Sequence, residues 1–531
     1  MQSINILIVA ASASLGASLA GSFSTDHVNA DDAVVGELSF GQDVRPILSN
    51  HCFACHGPDE NQREADVRLD VADEVDLEEM LARISSTDPD DMMPPPELNK
   101  PLTPNQIDTL TRWIDQGAPY EQHWAFSPPR DYEIPQPKFA SWSEQPIDQF
   151  VLAKLEAQQS QPSPRADKRT LIRRVTLDLT GLPPTIEQVD AFLNDLSDEA
   201  YENLVDRLLS TPAYGEHMAR YWLDLVRFAD TNGLHHDHYR EMTPYRDWVI
   251  RAFAENMPMD QFIRDQLAGD LLEQATVDQQ IASGFNRLHL IIDRGTALPE
   301  ESFFRNVVDQ VSAVGTAFMG LTMQCAVCHD HKYDPITQKD FYQLSAFFNN
   351  FDGEPETGGR GSLDFRRGLQ PPYINLPTPQ QQQDLRRLEV AIESLELKVK
   401  QLQAKQAAAE KEKAELAKTA SAGKQPESPQ QPDESESDDA QNVELANDLK
   451  SATAELKNLK NEHEALLRAI PATLVMKERA QVRPAHIMIR GAYDQPGDEV
   501  ARDVPSFLPA MKKSDGLKTR MDLAEWLIDP Q

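Results

Sequence analysis

Cysteine is scarce in this chain, with four in 531 residues, and aromatic residues make up only 7%. Basic residues are also outnumbered, 51 against 86 acidic, giving a formal net charge of −35 and an isoelectric point near 4.7. That deficit excludes nucleic acid as a partner, because a phosphate backbone would be repelled. Beyond the N-terminal residues no stretch approaches about 18 uninterrupted apolar positions, so nothing else should span a bilayer. A chain of this length should form two to four domains.

What cysteine there is falls into a pattern. Cys52-Phe53-Ala54-Cys55-His56 and Cys325-Ala326-Val327-Cys328-His329 use all four thiols, and both read C-x-x-C-H. This is the attachment pattern of c-type haem, in which two thiols add to the porphyrin vinyl groups and the following histidine binds iron. The three-residue step brings both sulfurs to one edge of the macrocycle. A zinc site would also use C-x-x-C pairs, but its pairs usually lie within about 20 residues. Here they lie about 270 positions apart. A redox dithiol does not require the histidine. Two disulfides would each close a very tight loop and gain little. The residues therefore predict two covalent haems c, on Cys52 and Cys55 and on Cys325 and Cys328, with His56 and His329 as proximal iron ligands.

The N-terminus fits that chemistry, since c-type haem is assembled outside the cytoplasm. Ile4 to Ala20 is an apolar run followed by small-residue cleavage sites at Ser18-Leu19-Ala20 and Val28-Asn29-Ala30, although no Lys or Arg precedes Leu7. We read residues 1–30 as signal peptide and linker, with an uncleaved signal anchor as the alternative. The expected location is the periplasm or cell envelope.

Residues 31–130 form the first expected domain. Phe40 to Leu48 carries apolar residues at helical spacing before the first pentad, and a helix is expected near Leu77 to Ile84. Asp91-Met92-Met93-Pro94-Pro95-Pro96 then interrupts the chain. A thioether on a Pro-stiffened loop can coordinate iron, so Met93, in preference to Met92, is the expected distal ligand of the first haem; the bland alternative is a Met filling a gap. Thr103-Pro104-Asn105 caps a helix with Ile107, Leu110, Trp113 and Ile114 on one face, ending at Gly117.

Residues 141–353 read as a larger helical domain. Pro146 starts a helix with Ile147, Phe150, Val151 and Leu155 on one stripe, and Val189, Phe192, Leu193 and Leu196 repeat that spacing. Trp222, Leu225, Val226, Trp248, Val249 and Phe253 should share one core. Gly315 and Gly320, before the second pentad, could admit a flat porphyrin or serve tight helix packing. The distal ligand of the second haem is open: His217, His235, His236, His238 and His289 are candidates, and His123 could serve either iron. His331 is too close to His329 to reach the opposite face. The run His235-His236-Asp237-His238 offers groups suited to zinc or iron, although adjacent ligands on a short loop rarely converge.

Several blocks carry a family resemblance. Val44-Arg45-Pro46-Ile47-Leu48, the first pentad with Gly57-Pro58, Met93-Pro94-Pro95 and Trp113-Ile114-Asp115-Gln116-Gly117-Ala118 resemble the planctomycete-type cytochrome c domain. Leu177 to Pro184, Trp222 to Leu225, Ala229 to Gly233, Gln266 to Leu272 and Cys328 to Pro335 resemble the helical domain of unknown function that follows it. The resemblance implies haem binding and electron transfer. Arg294-Gly295-Thr296-Ala297 and Asp309-Gln310 depart from its pattern, which has an acidic-glycine segment and Asp-Arg there.

After a Gly- and Pro-rich linker, 354–378, two heptad segments should fold as an antiparallel coiled-coil hairpin over 379–471 around a disordered acidic loop, 419–440. Intermolecular pairing is the alternative, and the hairpin is a candidate for protein contacts. Residues 472–531 resemble the start of a third family domain, apparently truncated. The fold class is thus mainly α. The expected function is that of an exported dihaem c-type cytochrome, more an electron carrier or redox subunit than a stand-alone enzyme. Its partner would be a redox protein or a small-molecule donor or acceptor. The alternatives are a peroxidase- or oxidase-like haem enzyme with an open iron site at the second haem, and a haem-stapled extracellular binding protein.

Overall fold

The computed structural model describes residues 38–57, 62–72, 75–121, 124–126, 129, 131–139, 142–143, 145–422, 434–512 and 516–530. The expected signal peptide and His123 lie outside them. The chain divides into two compact units between Ser127 and Pro128, and both are mainly helical.

Among the described residues the first unit has four α-helices, α1 (Arg45–His51), α2 (Phe53–His56), α3 (Leu77–Ser85) and α4 (Pro104–Asp115). Capping sets their starts. Asp76 accepts the Glu79 N–H at 3.0 Å, and Thr103 and Gln106 form a reciprocal capping box. Phe40, Val44, Ile47, Leu48, Phe53, Met80, Ile84, Leu110 and Trp113 make one buried cluster, so the periodicities of the sequence face a common core. Phe40, tilted, and Tyr120, edge-on, pack against Trp113, whose indole N–H donates to the Pro119 carbonyl at 3.1 Å.

The second unit begins with α5 (Pro146–Ala157), α6 (Lys168–Thr180), α7 (Ile186–Asn194), α8 (Ala200–Leu209), α9 (Pro212–Leu225), α10 (Thr243–Ala254), α11 (Met259–Ala268) and α12 (Val277–Ala282). It continues through α13 (Pro299–Val314), α14 (Gln338–Ser345), α15 (Leu363–Arg366), α16 (Pro379–Ala422), α17 (Glu434–Ala469) and α18 (Arg520–Leu527). Two small antiparallel ribbons join β1 (Tyr373–Asn375) to β2 (Ala472–Leu474) and β3 (Ala485–Met488) to β4 (Pro496–Val500).

Trp222, Trp248 and Phe253 converge on Phe262 with ring centroids 4.9, 5.3 and 5.6 Å away, the shared core expected of them. Two expected faces point elsewhere. On α5 the buried side chain is Leu152, while Ile147, Phe150 and Val151 are exposed; Leu225 and Leu196 are exposed as well. An apolar stripe specifies a helix, but which neighbour covers it is a tertiary property that spacing does not encode.

The segment read as a linker, 354–378, is built into the second unit. Its Pro372 and Gln370 carbonyls accept from the fully buried Arg287 guanidinium at 2.8 and 3.2 Å, and Val475 adds a third acceptor at 2.9 Å. A buried cation demands acceptors, and this irregular backbone supplies them. Residues after 471 pack into the same unit. Arg520, wholly buried, is gripped by Asp270 at 2.7 and 2.9 Å and by Glu478 at 3.0 Å.

α16 and α17 run antiparallel, with Leu395, Val399 and Ala452 buried between them. Lys460 pairs with Glu396 at 2.6 Å, and His463 lies 3.8 Å from Glu389. The Ala-, Lys- and Glu-rich ends carry helix through Ala422 and again from Glu434, inside the stretch expected to be disordered. Residues 423–433 of that stretch lie outside the described residues. No helix among the described residues is long and apolar enough to cross a membrane.

Candidate haem sites

The first pentad begins where α1 ends: Cys52 joins the two helices and Phe53–His56 form α2. The Cys52 N–H closes α1 on the Leu48 carbonyl at 2.7 Å, and the Cys55 and His56 N–H groups both return to the Cys52 carbonyl, at 3.1 and 2.8 Å. This turn sets the two sulfurs and the imidazole on one short segment beside the Phe53 and Leu48 core. Burial pushes the Cys52 thiol up to about 12, with Cys55 adding to the shift, so the thiol stays protonated at neutral pH. Burial also lowers the pKa of His56, against an opposing pull from Glu64, which keeps the ring in the neutral form that can ligate a metal. His56 Nδ1 is buried without a hydrogen-bond partner. Half-buried thiols, a neutral imidazole and an orphaned ring nitrogen fit a covalently attached haem.

Met93 follows α3. Its N–H donates to the Arg83 carbonyl at 3.1 Å, and its side chain is half-buried. Met93 is not among the side chains packed on the unit's apolar cluster.

The second pentad lies on a 3₁₀ turn, Met323–Val327, with Cys325, Cys328 and His329 exposed. His329 Nδ1 donates to the Asp330 carbonyl at 2.6 Å, leaving Nε2 for a metal. The Val327 carbonyl accepts from Tyr342 Oη at 2.9 Å and from Gln338 Nε2 at 3.0 Å; Gln338 also donates to the Met488 carbonyl at 3.2 Å. These bonds tie the pentad to α14 and β3. Beyond β3 comes Gly491, with φ +71°, where an added Cβ would lie 2.7 Å from Cys328 Sγ. Glycine is required there on both counts.

Beside this motif a cavity of about 670 Å³ is lined by Phe303, Phe304, Phe341, Tyr342, His486 and Met488, among others. Its size suits a cofactor-scale ligand (roughly 300–1,000 Å³). His486 donates from Nδ1 to the Gly497 carbonyl at 3.2 Å, so its Nε2 is available. Neither His486 nor Met488 was an expected distal candidate. The strand carrying them was legible, but nothing local shows that it returns to a motif so far upstream.

The expected distal candidates take other places. His289 is buried, donates to its neighbour's Leu290 carbonyl at 3.2 Å and is held down to about 3, chiefly by burial and then by Arg287. His217 packs on Gly181 and meets Tyr221 edge-on. His331 accepts the Asp334 N–H at 2.8 Å through Nδ1 and so pins its own turn. His235, His236 and His238 gather instead around the buried Asp293 carboxylate, while Asp237 accepts the Gly233 N–H at 2.6 Å. Gly315 is a packing position, since a Cβ there would meet Met323 Cγ at 2.4 Å. At the second departure, Gln310 donates to the Asn286 carbonyl at 2.7 Å and Asp309 pairs with Arg227 at 3.3 Å.

Two family models match the chain. Residues 52–97 match the model described as Planctomycete cytochrome C, and residues 146–353 match a protein of unknown function, DUF1549. The chain therefore carries a planctomycete cytochrome c domain followed by a DUF1549 domain, in the order its motifs predict. A c-type cytochrome domain binds haem covalently. No curated protein and no solved structure matches the chain.

Proposed function

We propose that this protein is an exported dihaem c-type cytochrome that passes electrons to or from a redox protein or a small-molecule donor or acceptor. The observation that carries the reading is the distribution of its cysteines: every one falls in a C-x-x-C-H pentad, one inside each family match. Cys52 and Cys55 would hold the first haem, with His56 and Met93 on its iron. Cys325 and Cys328 would hold the second, with His329 on one side and His486 as the candidate on the other. When bound, haem supplies a one-electron Fe(III)/Fe(II) couple. The chain's part is to fix each pair of thiols on a short turn and, at the first site, to keep the His56 imidazole neutral. The strong negative charge would favour a basic partner. Paired helices α16 and α17, read as a coiled-coil hairpin, offer a surface for protein contacts.

Optical spectra of the reduced holoprotein, with and without carbon monoxide, test the reading. Two filled axial positions on each iron predict sharp low-spin bands that carbon monoxide leaves unchanged. A shift on adding the gas would show an open iron and favour the enzyme reading; a protein without haem bands would end both.

A further inference from the structure

The loop from Thr231 to Tyr239 is folded into a cradle. Thr231 bridges Tyr239, the Asn232 N–H donates to the His238 carbonyl at 2.9 Å, and the Ile291 N–H donates to the Asn232 carbonyl at 3.0 Å. The last bond brings Asp293 beneath the loop. His235 and Asp237 take positive φ, +57° and +49°. Left-handed backbone at a non-glycine residue costs energy, and such strain collects at functional sites.

The polar atoms brought together there cannot be satisfied by hydrogen bonds alone. His236 Nδ1 lies 3.1 Å from His235 Nδ1, 2.7 Å from Asp293 Oδ2 and 3.0 Å from Arg360 Nη2. An imidazole nitrogen carries either one proton or one lone pair. Protonated, His236 Nδ1 satisfies the carboxylate but opposes the arginine donor. Unprotonated, it accepts from Arg360 but turns its lone pair on the carboxylate. His235 Nδ1 is 3.2 Å from the same Oδ2 and 3.3 Å from Thr296 Oγ1, and Asp293 Oδ1 is buried with no partner although the side chain is only 5% exposed.

A cation resolves the conflict, because it accepts electron pairs from all three atoms. Ligands bonded at about 2.0–2.2 Å stand roughly 3 Å apart when they share an ion, and the three separations here are 2.7, 3.1 and 3.2 Å. We propose that His235 Nδ1, His236 Nδ1 and Asp293 Oδ2 hold a first-row divalent transition metal ion, of the class of Zn²⁺ or Fe²⁺, separate from either haem. Two imidazoles and one carboxylate suit such ions and leave further coordination positions open. His238 Nε2, 3.2 Å from Oδ2 but outside the mutually close set, is a positioning residue that orients the carboxylate. Arg360 stands at the mouth between Gly359 and Gly361, pairs with Asp293 at 3.0 Å and must release His236 when metal binds.

Equilibrium dialysis of the full-length, haem-loaded protein against Zn²⁺, with any remaining thiols alkylated beforehand, tests the site. The expected result is one zinc per chain, retained in a Cys325→Ala/Cys328→Ala variant. His235→Asn, which tolerates left-handed backbone, and Asp293→Asn should each weaken binding at least 100-fold with the far-ultraviolet circular dichroism unchanged. His238→Ala should weaken it by about 10- to 100-fold. Absence of stoichiometric zinc, or zinc held equally well by His235→Asn and Asp293→Asn, would overturn the proposal. So would zinc lost only when Cys325 and Cys328 are replaced. None of these outcomes depends on how many haems the chain carries.

Discussion

Gly491 places a backbone turn against Cys328 with no room for a side chain. Gly491→Ala would force either the turn or the sulfur to move, and a left-handed φ adds its own penalty. The expected outcome is poor haem retention at the second pentad with the first unaffected, read by intact-mass measurement of the matured variant. Full occupancy of both sites would show that the thioether does not sit where the thiol does now. Such a restraint was invisible in the sequence, where Gly491 reads as an ordinary turn residue. The pentads were legible because cysteine and histidine chemistry is local to five positions. The partners of the second one, Gln338 and Tyr342, were not, because they reach it only through tertiary folding.

Helices were largely readable from spacing and caps: α3 falls close to the expected Leu77 to Ile84, and α4 starts and stops close to where Thr103 and Gly117 predict. What failed was the assignment of faces and connectors. The exposed stripe of α5 and the built-in 354–378 segment both depend on which element comes to lie alongside. That segment solves a problem set by Arg287, whose buried charge has no ion pair among the described residues, and burial lowers it to about 9. Two predictions concern such buried groups. Arg520→Met leaves Asp270 without its cation and Glu478 with only Arg502, 3.8 Å away, and should cost about 3–5 kcal/mol in urea unfolding of the second unit; a loss under about 1 kcal/mol would contradict the buried pairing of Arg520 with Asp270.

The other concerns His289, between α12 and α13. Its ordinary value is 6.5, and in the fold burial depresses it to about 3. Below pH 6.5 the unfolded chain takes up a proton that the folded chain refuses. Stability from this group is therefore complete above 6.5 and falls toward pH 3, by at most about 1.4 kcal/mol per pH unit. Urea midpoints between pH 7 and 5.5 should decline more steeply for the native protein than for His289→Gln. Equal slopes would show that His289 titrates normally.

Taken as one molecule, the chain joins a small cytochrome domain to a helical unit bearing a second pentad, and its four thiols divide evenly between them. Apolar spacing placed it in the mainly helical class and its charge argued against nucleic acid, while the two pentads supplied the chemistry. Its remaining architecture depends on long-range closures, Arg520 onto Asp270 and β2 onto β1, that no local pattern announces. The account rests on two porphyrins per chain. Intact-mass spectrometry of the protein produced with a haem-maturation system should therefore show a gain of two haem masses, falling to one in either Cys52→Ala/Cys55→Ala or Cys325→Ala/Cys328→Ala. A native mass carrying one haem or none, with Cys325 and Cys328 open to alkylation, would contradict it.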